Sequence, residues 1–313
     1  MLVSVVLPVY NEEKNIPLLT EGLLRVAEKI YERYNLEIIF VDDGSKDNSF
    51  YALEKICGDH PAIKAISLSR NFGHQIALTA GFDYAKGDAV ICMDSDLQHP
   101  PDLIDTLLEK WEEGNDIVYT IRKDNQNISY LKRACDSLFY SLINKISNTP
   151  ISQNAADYRL MSRRALNEFL KLRERDRFIR GMISWVGFKN TSVEYEVGKR
   201  IHGKSKYSML NLLRFAANAV TSFSGAPLRA SSVAGTIIAG LSFIYGIYLV
   251  IQTIFFHVHY PSGWPSIVVS ISFLGGIQLI SIGILGEYIY RIFNEVKQRP
   301  LYIVDKTVNL DKS

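Results

Sequence analysis

Hydrophobic residues in the N-terminal part of the chain alternate between short, largely apolar runs and stretches with helical spacing. A short apolar run is typical of a strand buried on both faces of a parallel sheet. Between the runs, apolar residues recur every three or four positions, as they do from Ile16 to Ile30, which is typical of a helix packed on the sheet. This succession predicts a mostly parallel, right-handed α/β sheet. The predicted strands are 3–9, 36–41, 62–68, 90–93 and 116–121.

Two long stretches in the C-terminal third contain no charged residue, at positions 230–256 and 265–286. Each is long enough to cross a hydrocarbon core, which requires about 20 residues of helix. The loop between them has no Lys or Arg, whereas Arg229 precedes the first stretch and Arg291 follows the second, so the positive-inside rule places both ends in the cytoplasm. We therefore expect two membrane-spanning helices. The alternative is a helical hairpin buried in a soluble core.

Composition, charge and the absence of certain motifs argue against several classes of protein. Hydrophobic residues make up 47% of the 313 positions and the mean hydropathy is +0.03, both high for a soluble protein. The net charge is +2, and no basic cluster indicates a nucleic-acid partner. Three cysteines without metal-type spacing indicate reduced thiols in a cytoplasmic domain. No dinucleotide-binding glycine motif follows the first predicted strand and no P-loop motif occurs, which argues against oxidoreductases and phosphotransferases of those types.

Polar residues follow the predicted strands, where the carboxyl ends of parallel strands form a ligand crevice. Asp94 and Asp96 are one residue apart after the fourth strand and would lie on the same side of an extended backbone. Paired carboxylates suit Mg²⁺ or Mn²⁺ bound to a substrate's phosphates, although such pairs are also common as solvated turn residues or helix caps. The alternative for all strand ends is that they are polar because they lie in loops. The other polar residues at strand ends are Tyr10, Asn11, Glu12, Asp42, Asp43, Arg70 and Arg122.

Four short motifs occur in order along the chain: V-L-P-V-Y-N-E at 6–12, V-D-D-G-S at 41–45, D-S-D-L-Q-H-P-P at 94–101 and R-I-H-G-K-S-K-Y at 200–207. Together they resemble the motif series of the GT-A, family 2 glycosyltransferases. Within that family the chain is most similar to the polyprenyl-phosphate glycosyltransferases, which include dolichol-phosphate mannose synthase. The two C-terminal spans make it more similar to the GtrB-type bactoprenol (undecaprenyl-phosphate) glucosyltransferases.

The resemblance implies an α/β, GT-A (Rossmann-like), mostly parallel sheet, followed by an interfacial helix and two transmembrane helices. The chain would then divide into four segments. They are a cytoplasmic GT-A domain at 1–206, an amphipathic juxtamembrane helix at 207–228, a two-span transmembrane hairpin at 229–293 and a cytoplasmic C-terminal tail at 294–313.

The resemblance also implies roles for individual residues. The expected nucleotide-sugar ligands are Pro8, Tyr10, Glu12, Asp43, Arg200, Ser205 and Lys206. The expected ligands of Mg²⁺ or Mn²⁺ are Asp94, Asp96 and Gln98, and those of the acceptor phosphate are Arg122 and Arg133. Asp157 is the expected catalytic residue, together with Asp94 and Asp96. The alternatives are that 200–206 is a solvated basic loop and that Asp157 is a cap or an ion-pair partner of Arg159.

The expected activity is inverting transfer of one glucose from UDP-glucose to undecaprenyl (polyprenyl) phosphate at the cytoplasmic face of the inner membrane. Repeated elongation is not expected, because the Q-x-x-R-W signature of processive synthases is absent and R-I-H-G stands in its place at 200–203. The resemblance also implies a multi-pass membrane protein, a homo-oligomer and a role in modifying cell-surface glycans. Two alternatives remain open: the same chemistry with GlcNAc, mannose or aminoarabinose, and a non-catalytic membrane scaffold subunit.

Overall fold

The computed structural model describes residues 1–123, 155–195 and 263–310, together with scattered positions between 233 and 255 that are all helical. The strands in these ranges are β1 Leu2–Val9, β2 Asn35–Asp42, β3 Ile63–Leu68, β4 Ala89–Cys92, β5 Ile117–Arg122, β6 Ala155–Ser162, β7 Asn190–Tyr195 and β8 Val304–Val308. The helices are α1 Ile16–Ile30, α2 Ser49–Asp59, α3 His74–Tyr84, α4 Leu103–Glu112, α5 Arg163–Lys171, α6 Ile179–Val186 and α7 Trp264–Val296.

All the described strands belong to one sheet, in the order β7-β5-β6-β4-β1-β2-β3-β8. The four strands at its centre, β4, β1, β2 and β3, run parallel, and β5 and β7 also pair in parallel. β6 runs antiparallel between β4 and β5, and β8 runs antiparallel to β3 at one edge. The predicted mostly parallel α/β sheet is therefore confirmed, and each of the five predicted strands is present.

The sheet is covered on both faces, which explains why its central strands are apolar at nearly every position. On one face, α1 buries Leu19, Leu23 and Val26 against the core. On the other face, α3 packs very closely on β1, because a Cβ at Gly81 would lie 2.2 Å from Val6 Cγ1. Glycine at this position is what allows the helix to approach the strand.

The C-terminal segment returns to the sheet, a feature that the sequence analysis did not predict. Expected as a tail at 294–313, it contains β8, which pairs with the edge strand β3. The Tyr302 hydroxyl donates to Asp83 Oδ2 at 2.8 Å. Beyond β8, Asn309 Nδ2 donates to the carbonyl oxygens of Cys57 at 2.7 Å and Ile63 at 2.9 Å. These contacts make 302–309 part of the sheet domain.

The chain divides into two compact units. The first contains all the described strands and α1 to α6, and the second contains α7 and the helical positions at 233–255. Within α7, Phe273–Val296 is long and apolar enough to cross a membrane, with a mean hydropathy of 1.4 over its most apolar window, and that window is not buried in the structure. It is the one candidate span in the described residues, since most of the first predicted span, 230–256, lies outside them.

Candidate active site

Acidic side chains from β4 and β6 meet at the edge of the sheet where the parallel strands end. Asp94 follows β4, and Asp157 lies near the start of the antiparallel strand β6. The ladder pairs Cys92 with Arg159, and the same register continued by two residues places Asp157 opposite Asp94. The charge of Asp157 is one of the influences that raise the pKa of Asp94. We call this edge the carboxyl rim.

Two histidines hold Asp94 in place. His74 Nε2 lies 2.9 Å from Asp94 Oδ1, and the backbone N–H of Asp94 donates to His99 Nδ1 at 3.0 Å. His99 Nε2 in turn lies 3.8 Å from Asp94 Oδ2. Burial alone would raise the pKa of Asp94, but the hydrogen bond from His74 outweighs it, and the pKa is lowered. Asp94 is therefore an ionised carboxylate with a fixed orientation.

The His99 ring is itself held by aromatic neighbours. It is 1% exposed, and it stacks on Tyr158 with the ring centroids 5.1 Å apart. Tyr195 packs edge-on against it at 5.9 Å. The Tyr158 hydroxyl also donates to the Pro100 carbonyl at 3.1 Å, which fixes the end of the same loop. Burial lowers the pKa of His99, so its ring is neutral and Nδ1 can accept the Asp94 N–H.

The loop that carries Asp96 makes a sharp turn. Leu97 has a φ of +64°, a conformation that costs a branched residue energy and is found mostly where surrounding structure imposes it. After the turn, the backbone N–H of Gln98 donates to Asp96 Oδ1 at 3.1 Å. Before it, the Ser95 hydroxyl donates to the Pro8 carbonyl at 2.8 Å and ties the loop to β1. The loop that carries Asp96 is therefore attached to β1 as well as to β4, the strand that it follows.

The donor set of this loop fits a divalent cation. Asp94, Asp96 and Gln98 offer carboxylate and amide oxygens, which are the hard ligands that Mg²⁺ and Mn²⁺ prefer. In the described part of the chain, no three His, Cys, Asp or Glu side chains surround a common metal position. The set suits a cation that takes one or two carboxylates from the protein and its remaining ligands from substrate phosphates and water.

The loops after β1 and β2 are bound to each other beside the carboxyl rim. The Asn11 backbone N–H donates to Ser45 Oγ, and that of Glu12 donates to Ser49 Oγ, both at 2.9 Å. Asn11 adopts a left-handed backbone with φ +57°, which asparagine tolerates. Tyr10 is partly buried at the end of β1. Tyr10 and Glu12, both expected nucleotide-sugar ligands, thus lie on a braced loop next to the Asp94 loop.

Asp43 holds the next loop along the rim. Its Oδ1 accepts the backbone N–H of Phe72 at 2.7 Å, and its Oδ2 accepts that of Gly73 at 2.9 Å. Burial raises the pKa of Asp43 despite these hydrogen bonds. The expected role of Asp43 in binding the nucleoside remains a prediction. What the structure adds is that this carboxylate fixes the loop leading into His74.

Asp157 forms an ion-pair cluster with two arginines. Arg180 Nε and Nη2 donate to Oδ1 and Oδ2, each at 2.8 Å, and Arg159 Nη2 donates to Oδ1 at 3.2 Å. Burial acts to raise the pKa of Asp157, but the Arg180 charge and its hydrogen bonds hold the pKa well below its usual range. The alternative of an ion pair with Arg159 is thus observed, but Arg180 contributes the two-point contact. Whether Asp157 is catalytic remains a prediction.

Arg122 ends β5 on the same rim. Its Nε donates to the Tyr195 hydroxyl at 3.2 Å, and its charge lowers the pKa of the neighbouring His99. Its exposed position beside the Asp94 loop is compatible with binding an anion. The remaining expected site residues, which lie outside the described residues, are Arg133, Arg200, Ser205 and Lys206.

Three residues of the rim were not assigned by the sequence analysis. His99 lies inside a quoted motif, and His74 opens the helix after the third predicted strand, so position on the rim was the available signal for both. Arg180 gave no local signal, because it is 23 positions from Asp157 and no predicted strand ends near it.

Comparisons with known proteins give matches that agree with one another and together cover 98% of the chain. Residues 4–170 match the family model described as glycosyl transferase family 2. The chain is 44% identical over 307 residues to the SfII prophage-derived bactoprenol glucosyl transferase of Shigella flexneri, and the alignment covers 98% of both chains. It is 41% identical over 308 residues to the uncharacterized glycosyltransferase YkcC of Bacillus subtilis (strain 168), covering 98% of this chain and 94% of that one.

Among solved structures, mannosyl-3-phosphoglycerate synthase from Rubrobacter xylanophilus is similar with a TM-score of 0.50. The two share 16% sequence identity, and the similarity covers 74% of this chain and 75% of that one. At this identity the likeness concerns the fold alone.

Proposed function

Because the chain belongs to glycosyl transferase family 2 and is a glycosyltransferase, we propose that it transfers one glucose from UDP-glucose to undecaprenyl or a related polyprenyl phosphate. The products are polyprenyl-phosphate-glucose and UDP. The observation that carries the proposal is the 44% identity, over 98% of both chains, to a protein named bactoprenol glucosyl transferase. The carboxyl rim supports it, because the donor-side candidates after β4 and the acceptor-side candidate Arg122 at the end of β5 lie on one edge of the sheet, with only β6 between the two strands.

On the donor side, Asp94, Asp96 and Gln98 would hold Mg²⁺ or Mn²⁺ on the UDP-glucose diphosphate. Such a cation acts as a Lewis acid and compensates the negative charge of the departing diphosphate. His74 and His99 fix the direction of the Asp94 carboxylate, so that it needs no reorganisation when the donor binds. Pro8, Tyr10, Glu12 and Asp43 would form the nucleoside side of the site, and Arg200, Ser205 and Lys206 would cover the diphosphate.

On the acceptor side, Arg122 would bind the lipid phosphate, with Arg133 as its partner. A phosphate monoester has a second pKa of about 6 and is largely dianionic near neutral pH. One of its oxygens attacks the anomeric carbon as the bond from that carbon to the UDP oxygen breaks, which inverts the anomeric centre in one step. The nucleophile brings no proton that must be removed, so orientation of the phosphate is the main task of this side.

Chain connectivity supports a two-span membrane hairpin. The strands before 195 and β8 belong to one sheet, while α7 lies between them in sequence. If α7 crosses a membrane, the chain must cross a second time between 195 and 264 for β8 to reach that sheet. The apolar stretch 230–256 is the segment long enough to do so. The proposal therefore includes a catalytic domain in the cytoplasm and a multi-pass anchor in the inner membrane, and, on family resemblance alone, a homo-oligomer.

The test is a transfer assay with the full-length protein in detergent and undecaprenyl phosphate. Labelled UDP-glucose, UDP-GlcNAc, GDP-mannose and a UDP-linked aminoarabinose are supplied in turn, with Mg²⁺, with Mn²⁺ or with a chelator, and the label extracted into organic solvent is counted. We expect metal-dependent, lipid-linked label from UDP-glucose. A preference for another donor would refute glucose as the sugar. No lipid-linked label from any donor would refute the activity and favour a scaffold subunit.

A further inference from the structure

Arg180 links the catalytic candidate Asp157 to the helix α6, and no role has been assigned to it so far. We propose that Arg180 is a positioning residue of the transfer reaction, which fixes the orientation of the Asp157 carboxylate on the acceptor side of the rim. Asp157 then acts through its place in this ion pair and takes no proton. The inference rests on the proposed function and concerns the same site.

The first support is the geometry of the pair. The guanidinium meets the carboxylate at two points, Nε to Oδ1 and Nη2 to Oδ2, both 2.8 Å long. A two-point contact fixes the plane and direction of both groups, which a single contact cannot do. The pair is largely shielded from water, with 15% of the Asp157 side chain and 28% of the Arg180 side chain exposed. Arg159, 1% exposed, holds the same carboxylate from β6.

The second support is the way α6 is attached. The backbone N–H of Ile179, at the start of α6, donates to Gln75 Oε1 at 2.9 Å. Gln75 follows His74, which binds the Asp94 carboxylate. The first turn of α3 therefore sets the position of Asp94 directly and that of Asp157 through α6 and Arg180. The same helix turn thus positions both the donor side and the acceptor side of the rim.

The third support is chemical. A carboxylate that accepts hydrogen bonds from two arginines is a weak proton acceptor. The acceptor phosphate carries its negative charge before it binds and requires no base. What the acceptor requires is a rim of fixed shape, because a displacement of about 1 Å at a reacting group can lower a rate about 100-fold. An anion clamped between two arginines provides that rigidity.

A double-mutant cycle tests the proposal. The kcat, and the KM values for undecaprenyl phosphate and UDP-glucose, are measured for wild type, Asp157→Asn, Arg180→Gln and the double variant. We expect each single variant to lower kcat about 100-fold, with the KM for UDP-glucose changed less than about 3-fold. The double variant should be no worse than either single one, because the pair acts as a unit. A far larger loss for Asp157→Asn than for Arg180→Gln, with multiplicative losses in the double variant, would indicate a proton acceptor and overturn the proposal.

Three further variants keep the result decisive if Arg180→Gln folds poorly. Arg180→Lys keeps the charge but not the two-point contact, so we expect kcat to stay at least about 10-fold low; full recovery would overturn the proposal. Gln75→Ala should lower kcat in the same direction through α6, and an unchanged kcat would also overturn it. The matched control is Arg164→Gln, which removes another arginine contact to both oxygens of an aspartate, Asp116, and should leave kcat unchanged.

Thermal unfolding of each variant accompanies the kinetics, so that a loss of folded protein is separated from a loss of rate. Wild-type protein that transfers no sugar to the lipid refutes the proposed function. Active wild-type protein with the proton-acceptor pattern refutes only the role of Arg180.

Discussion

The central strands bury charged groups at both ends, and the two ends do so in different ways. At the amino ends, Glu37 of β2 is 4% exposed and accepts hydrogen bonds from Ser4, Lys64 and the backbone N–H of Lys86. At the carboxyl rim, Asp94 and Asp157 are each paired with side chains from separate elements, and they lie at the ends of the adjacent strands β4 and β6. Both ends contain ions that are wholly or partly buried, so burial of charge alone does not identify the active site.

The amino-end cluster is closed by the backbone of the chain itself. The Gly87 N–H donates to Ser4 Oγ at 2.8 Å, and a Cβ at Gly87 would lie 2.5 Å from the Ser4 nitrogen, so the backbone fills the space beside the cluster. Arg163 then covers it by donating to the carbonyl oxygens of Gly87 at 2.8 Å and Ala85 at 2.9 Å. The Glu37 cluster is therefore satisfied by contacts within the protein, and we interpret it as structural.

The carboxyl rim differs in the backbone as well. Leu97 holds a left-handed conformation there, whereas the corresponding conformation near the amino ends belongs to Asn309, a residue type that tolerates it. Strain at a leucine persists only where the surroundings require it, and such residues concentrate at functional sites. The difference teaches that strained backbone beside paired acids, and not buried charge alone, distinguishes the proposed reactive end of this sheet.

The largest effect that separates the two ends is expected from Asp96→Asn. Losing a proposed carboxylate ligand of the cation should lower transfer at least about 1000-fold, because Lewis-acid stabilisation is worth several kcal/mol. Lipid-linked label is counted, and membrane insertion and thermal unfolding are measured as controls that should not change. Normal turnover by this variant would remove the metal role from Asp96.

Glu37→Gln should lower stability and leave activity unchanged, which is the reverse of the effect expected from Asp96→Asn. Removing the charge leaves Lys64 partly buried beside a neutral group, and we expect the free energy of unfolding to fall by about 3 kcal/mol. The kcat of the folded protein should remain that of wild type. Denaturant unfolding and initial rates are compared in the same preparation, and a large fall in kcat with unchanged stability would contradict a structural role.

Glu37 should also make the free energy of unfolding depend on pH. Burial acts to raise the pKa of Glu37, but hydrogen bonds from Lys64, Ser4 and the Lys86 N–H lower it below its ordinary value of 4.5. The stabilisation is therefore complete above that ordinary value and is lost as the pH falls through the lower pKa of the folded protein. The gap in unfolding free energy between wild type and Glu37→Gln should narrow below about pH 4. A gap independent of pH would exclude this linkage.

Arg122→Gln should affect the acceptor selectively. A charge-assisted hydrogen bond is worth about 2 kcal/mol, so we expect the KM for undecaprenyl phosphate to rise about 30-fold. Binding of UDP, measured by calorimetry, should change less than about 2-fold, since the proposed donor ligands are other residues. Arg33→Gln, near the amino ends, is the control with no expected effect on either ligand. Equal losses for the lipid and for UDP would contradict the separation of donor and acceptor sides.

The smallest effect is expected from Asn309→Ala. Asn309 donates to carbonyl oxygens at the amino end of β3 and holds a left-handed φ of +59°. Loss of these contacts should lower the free energy of unfolding by about 1 kcal/mol without altering kcat. A measurable loss of activity in this variant would show that the two ends are coupled.

The sequence predicts the parts of the sheet that depend on local pattern and chain order. Apolar runs identify β1 to β5, and the rule for parallel strands places Asp94 and Arg122 on one rim. Neither of these rules predicts β6 or β8, because each pairs antiparallel with a strand that is distant in sequence. The Arg180–Asp157 pair is likewise set by tertiary contacts, because a side chain of α3 positions the start of α6.

The return of β8 to the sheet has a consequence for the order in which the protein is made. A ribosome completes α7 before it reaches β8, so β3 remains an unpaired edge until the proposed membrane segment has been synthesised. An open edge strand is a template for pairing with other chains. Membrane insertion and completion of the sheet are thus consecutive steps of biogenesis, and a nascent chain that stalls after α7 would present β3 to its neighbours.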